Sequence, residues 1–148
     1  MKKSILTISI MLTVALTTAF ARDNEGVSQK TKESFNSSFN TASSVNWQQE
    51  KDFVKATFTL NNQVLSAFYD NDGNLLAITR NILSDQLPIN LLTDLKKNYN
   101  NLWITDLFEL AAEGQTSYYV TLENADEIIV LKSSDFNSWH IYKRSKRA

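Results

Sequence analysis

Apolar and polar residues alternate most cleanly between Val54 and Leu60, where Val54, Ala56, Phe58 and Leu60 interleave with Lys55, Thr57 and Thr59. That period of two is the mark of a half-buried strand, with the first set toward a core and the second toward water. Val64 to Tyr69 and Leu75 to Ile82 are further strand-like runs, rich in β-branched, apolar and aromatic residues. Asn61-Asn62 predicts a two-residue turn before the first of them, and Asp70 to Asn74, with Gly73, a tight turn between them. Leu87, Leu91, Leu92 and Leu95 then recur at helical spacing after Pro88, which predicts a helix over 88–98. An earlier helix is expected from about Gln29, with Phe35, Phe39 and Ala42 as a thin apolar stripe.

The remaining strands follow from the same pattern. Val45-Asn46-Trp47 opens one, and Leu102 to Ala111 forms a longer one. Ser117 to Glu123, Glu127 to Lys132 and Trp139 to Arg144 complete the set, with turns at Glu113–Gln115 and Asn124–Asp126 and a longer loop at Ser133–Ser138. The predicted fold is α+β: two helix-plus-four-strand repeats, about 30–83 and 84–148, forming one largely antiparallel sheet with helices on one face. Trp47 and Trp103 occupy equivalent places in this scheme.

The N-terminus changes the picture of where the protein works. Lys2 and Lys3, an apolar run from Ile5 to Leu16, and Ala19-Phe20-Ala21 read as a signal peptide over 1–21, cleaved before Arg22. Residues 22–29 are expected to be a disordered lead-in, and 30–148 a single domain. Export to the periplasm or beyond follows, with no stable membrane span after cleavage. The sequence holds no cysteine, so stability must come from packing rather than disulfides. Removing Lys2 and Lys3 from the 15 basic residues leaves 13 against 16 acidic ones, a formal charge of −3 that gives no pull toward nucleic acid. The basic run Lys143 to Arg147 reads as a solvated strand end and tail, with a contact to acidic envelope polymers as the alternative.

Three stretches carry a resemblance. AFYDNDGNLLAITR (67–80), the helix opened by Leu87-Pro88, and YYVTLENADEIIVL (118–131), behind a signal peptide, resemble the PepSY-like, β-lactamase-inhibitor-like proteins of Bacteroidetes. The resemblance spans about Lys30 to Lys143. It implies a periplasmic or secreted binding module. The inhibitor's target-binding residues match no motif here, so none is carried over.

Candidate chemistry is sparse. Asp70, Asp72 and Asn74 have calcium-loop spacing, but Gly73 precedes the third ligand and the twelfth position is Asn81, so a plain turn is expected. One histidine and no cysteine make a metal site a poor fit, and no cofactor motif is present. His140 lacks a nucleophile context such as G-x-S-x-G, so catalysis is not expected. Asp106, between Ile104 and Phe108, falls on the buried side of its strand by alternation, so a bulge or a partner is required; Glu109 points to the opposite face. What remains is surface. With Val54, Ala56 and Phe58 facing the core, the open face is expected to carry Phe68, Thr79, Trp103, Tyr119, Thr121, His140 and Tyr142. Aromatic residues among hydroxyls suit docking of a protein or peptide of the cell envelope by a monomer; a small ligand or glycan is the alternative.

Overall fold

The structure is a computed structural model that describes residues 26–147; residues 1–25, which include the expected signal peptide, and residue 148 lie outside it. Helix α1 (Gln29–Ser38) is followed by strands β1 (Ser43–Gln49), β2 (Val54–Leu60), β3 (Gln63–Tyr69) and β4 (Leu75–Asn81). A 3-10 turn at Ser84–Gln86 leads into α2 (Ile89–Asn98), then β5 (Trp103–Ala112), β6 (Gln115–Glu123), β7 (Glu127–Ser133) and β8 (His140–Lys146). All eight strands pair antiparallel with their sequence neighbours in one sheet of order β1 to β8. About half of the described residues are in strand and about a fifth in helix.

This architecture corrects the expected fold of two helix-plus-four-strand repeats whose helices cover one face. The sheet is the organising unit, and it does not divide at its middle: β4 and β5 pair from Ala77↔Ala112 to Asn81↔Phe108. The halves also differ in build, since β5 and β6 run to 10 and 9 residues where β1 to β4 have 7 each. Element order, which the sequence displays, says little about how far a short helix reaches. A ten-residue helix is about 15 Å long and about 10 Å wide, while eight strands span roughly 34 Å. Each helix therefore seats against one end of the sheet, and neither forms a layer.

The core divides accordingly. Phe35 of α1 packs with Val54, Ala56, Phe58, Ala67 and Tyr69 of β2 and β3. Leu91 and Leu95 of α2 pack with Leu107, Val120, Leu122, Ile129, Leu131 and Trp139. Between the clusters Arg80 and Glu109 bridge β4 and β5 through Nε to Oε1 at 3.2 Å and Nη2 to Oε2 at 3.1 Å. That paired fork suits a half-buried joint where a single charge would be costly.

Local chemistry explains the connections. Asn61 and Asn62 (φ 50° and 62°) and Glu113 and Gly114 (φ 52° and 74°) form two-residue hairpins with both central residues left-handed, which matches strand twist. In the Asp70–Asn74 turn, Asp70 accepts from the N–H groups of Asp72 and Asn74 at 2.9 and 2.8 Å and from the Asn74 side chain at 2.8 Å. These bonds hold its carboxyl below the usual carboxylate range. Gly73 sits at φ 80°, and a Cβ there would meet the Thr31 backbone at 3.1 Å, so the turn also supports the first turn of α1. Ser28 caps that helix, its Oγ accepting from Thr31 N–H at 3.1 Å. Pro88 is the N-cap of α2 rather than its first residue. Trp139 lies just before β8 and donates its indole N–H to Leu91 O at 3.0 Å, locking the α2 end.

Candidate functional site

Side chains on the sheet face away from Val54, Ala56 and Phe58 can be followed strand to strand by register. Lys55, Phe68, Ala77 and Ala112 form one row; Thr57, Ser66, Thr79, Leu110 and Ser117 form the next. Asn81, Phe108, Tyr119, Lys132 and His140 form the third. Asp106, Thr121, Val130 and Lys143 form the fourth, and Trp103 opposite Glu123 ends the face. Six of the seven residues singled out from the sequence stand in these rows, and Tyr142, unpaired at a register shift in β8, reaches the same face by its ring contact with Tyr119. This face brings four of the seven together over β6 to β8: Tyr119, Thr121, His140 and Tyr142. Trp103 stands at the end of the same patch. Phe68 is three strands away, packed on Phe53 at 5.8 Å and under Lys55 at 5.9 Å, and Thr79 lies between.

The centre of the patch is a ladder of rings. Phe108 stacks on Tyr119 with centroids 5.1 Å apart and planes 7° apart, and Tyr142 meets Tyr119 edge-on at 5.5 Å. Lys132 Nζ sits 5.5 Å above the Tyr119 ring, a cation–π contact that fixes the ammonium on the face. Trp103 is 70% exposed and Tyr142 52% exposed. A wet aromatic surface on a hydrogen-bonded sheet offers large contact area with little further ordering, the property that makes such residues dominate interfaces.

Phe108 and Lys132 belong to this patch and were not among the sequence candidates. Alternation assigns Phe108 and Asp106 to the buried side, and the structure corrects this. A bulge between Ile104 and Asp106 shifts the register, so that Trp103, Asp106 and Phe108 share the outer face while Leu107 and Glu109 take the core side. No local residue signature announces that bulge; it is set by pairing with β6. Asp106 accepts from Asn81 Nδ2 at 3.3 Å, and its partial burial pushes its carboxyl above the usual range. Thr121 Oγ1 beside it is buried without a partner among the described residues.

Beside the ladder, Lys132, Ser134, Asp135, His140, Ile141 and Tyr142 line a shallow hollow of about 390 Å³. Ser138, His140 and Asp135 meet at its rim, and their geometry is not that of a hydrolytic triad. Ser138 Oγ donates to Asp135 Oδ2 at 2.9 Å, and both oxygens face the same ring nitrogen: Nε2 of His140 lies 3.4 Å from Ser138 Oγ and 3.9 Å from Asp135 Oδ2. A triad needs the carboxylate on the other nitrogen and the hydroxyl proton aimed at the ring. Asp135 instead staples its loop. It accepts from the N–H groups of Asn137 and Ser138, both at 3.0 Å, and from the Ser138 and Ser133 hydroxyls, which hold its carboxyl well below the ordinary range. Among the described residues no group of three or more His, Cys, Asp or Glu side chains is placed to hold a metal ion. None of their helices is long and apolar enough to cross a membrane.

No protein-family model matches this sequence, and no curated protein does. Solved structures do share its fold. A BLIP-like protein from Bacteroides fragilis is 20% identical, with a TM-score of 0.69 over 80% of this chain and 85% of that one. Two DUF2874 family proteins, from Bacteroides uniformis and Bacteroides ovatus, are 12% and 15% identical, each with a TM-score of 0.70 over 80% of this chain and 88% and 86% of theirs. At such identities the likeness establishes the fold, an antiparallel sheet shared with BLIP-like and DUF2874 proteins, and the name PepSY-like does not appear among these neighbours.

Proposed function

We propose that this chain is an exported, non-catalytic binding module that holds a protein or peptide partner of the cell envelope on its outer sheet face over β5 to β8. The observation that carries the reading is the ring ladder Phe108–Tyr119–Tyr142, with Lys132 fixed against it and Trp103 exposed beside it. These rings contribute little to either buried cluster, so their cost in exposed apolar surface is explained by a partner that covers them. The fold shared with a BLIP-like protein supports the reading. Export to the periplasm or beyond rests on the leader read at 1–21.

The test is site-specific photocrosslinking in intact cells. A photoreactive residue at Tyr142 or Trp103 gives a discrete protein adduct, and one at exposed Ser37 of α1 gives none. Adducts of equal yield at all three positions, or none at the ladder, would contradict the docking face.

The hollow beside Tyr142 favours a second reading, a glycan stacked on that ring. A thermal-shift screen with envelope glycans separates the two. A melting point raised by a glycan in the wild type but not in Tyr142→Ala selects the sugar. An unmoved melting point across the screen leaves the protein partner.

A further inference from the structure

The two outermost strands of the sheet are guarded very differently. β8 carries Lys143, Arg144 and Lys146 within its seven residues. Such charges on an edge strand deter other strands from pairing with it. β1 reads SSVNWQQ, with no charge and no proline. Its one irregularity is the register shift between Ser43 and Asn46, where Ser44 adopts φ 53°. From Asn46 to Gln49 it pairs regularly with Thr57 to Val54.

The direction of its backbone groups follows from the adjoining turn. Glu50 N–H donates to Phe53 O at 2.9 Å. Antiparallel ladders alternate, so Gln48 and Asn46 exchange hydrogen bonds with Lys55 and Thr57, and the N–H and C=O groups of Trp47 and Gln49 point outward. Among the described residues, nothing outside the sheet hydrogen-bonds those outward groups.

We propose that this edge pairs antiparallel with β1 of a second copy of the chain, about a two-fold axis through Trp47. In that register each Asn46 lies across from Gln48 of the other copy on the outer face. A primary amide presents both a donor and an acceptor, so the same edge turned about is its own chemical complement, twice by symmetry. The two Trp47 residues oppose one another and exchange their outward backbone bonds. The alternatives are poorer. Two β8 edges set cationic side chains against each other, and a β8 edge finds no carboxylate within β1. The product is a sixteen-stranded sheet whose outer faces join, and it replaces the expected monomer. It stands independently of the docking face.

The absence of cysteine makes the register directly measurable. Asn46→Cys and Gln48→Cys are prepared as separate full-length mature chains, then oxidised alone and mixed. The expected result is a disulfide-linked dimer that forms several-fold faster in the mixture than in either chain alone, because opposed non-hydrogen-bonded residues have disulfide-compatible spacing. Light scattering should give twice the chain mass for the wild type and a single chain for Gln48→Lys, with the melting point of Gln48→Lys at low concentration unchanged. A wild type that stays single-chain at millimolar concentration overturns the proposal. So does a Gln48→Lys variant that remains a dimer, or a mixture that crosslinks no faster than its components.

Discussion

Buried aromatic rings are concentrated at one end of the sheet, while at the other, beside the buried Tyr118 and Trp139, a ladder of rings lies on the outer face. Under α1 the rings are core: Phe35 lies 4.9 Å from Phe58 and 5.2 Å from Trp47, and Phe39 lies 4.7 Å from Phe58. Against α2 the core is mainly aliphatic, built from Leu87, Leu91, Leu95, Leu107, Val120, Leu122, Ile129 and Leu131. There Phe108, Tyr119, Tyr142 and Trp103 stand on the opposite face instead. The difference teaches where rings serve folding and where they are left available. At the first end their removal should cost stability; at the second it should cost recognition.

The sharpest way to break this contrast is to truncate one anchor at each end. Phe35→Ala should lose about 3–5 kcal/mol and Leu91→Ala about 2–5 kcal/mol in urea unfolding, each through lost burial plus a cavity. Because the clusters share no buried partner, the double variant should lose close to the sum, in one transition. Two separate transitions would show that the sheet does not couple its ends. Next in size is Gly73→Ala. It faces both a left-handed φ and the Thr31 backbone 3.1 Å from its new Cβ, and should lose about 1–2 kcal/mol by the same measurement.

Asp106→Asn sharpens the comparison from the outer face through pH. Burial raises the folded-state carboxyl of Asp106 above its unfolded value, so the folded protein binds that proton more tightly. Wild-type stability from this group therefore rises as pH falls through the raised value, and the neutral amide should stabilise the protein at pH 7 but lose its advantage in acid. Asp70 and Asp135 act with the opposite sign. Their lowered carboxyls contribute stability above the unfolded carboxylate range, and that contribution is lost as pH falls through their folded values. Melting curves of the wild type and Asp106→Asn across this range check both signs. The smallest expected effect is Trp103→Ala, within about 0.5 kcal/mol of wild type because the ring is outside the core.

How much of this was legible along the chain depends on what set each feature. The alternation from Val54 to Leu60 marks the core face of β2, and the Asp70–Asn74 turn and the Asn61-Asn62 hairpin carry their own backbone chemistry, so the chain displays them locally. Element order was legible too, but the extent of helical cover was not, since two strings of ten helical residues do not reveal how little of an eight-stranded sheet they reach. Phe108 was hidden for a different reason. Parity along β5 holds only for a regular strand, and the bulge before Asp106 exists because β6 pairs as it does. Tyr119 and Thr121 share a face by alternation along β6, whereas Trp103 and Tyr142 join it across register shifts in β5 and β8 that the chain does not display; the stacking of Phe108 and the perch of Lys132 come from neighbouring strands.

The most direct measurement of the central claim is the affinity of the partner captured at the ladder, titrated against wild type, Trp103→Ala and Tyr142→Ala. Exposed rings that anchor an interface predict at least a tenfold loss for each variant, about 1.4 kcal/mol or more, with the Trp103→Ala melting point near wild type. Wild-type affinity in both folded variants would contradict it and leave those rings without a role in binding.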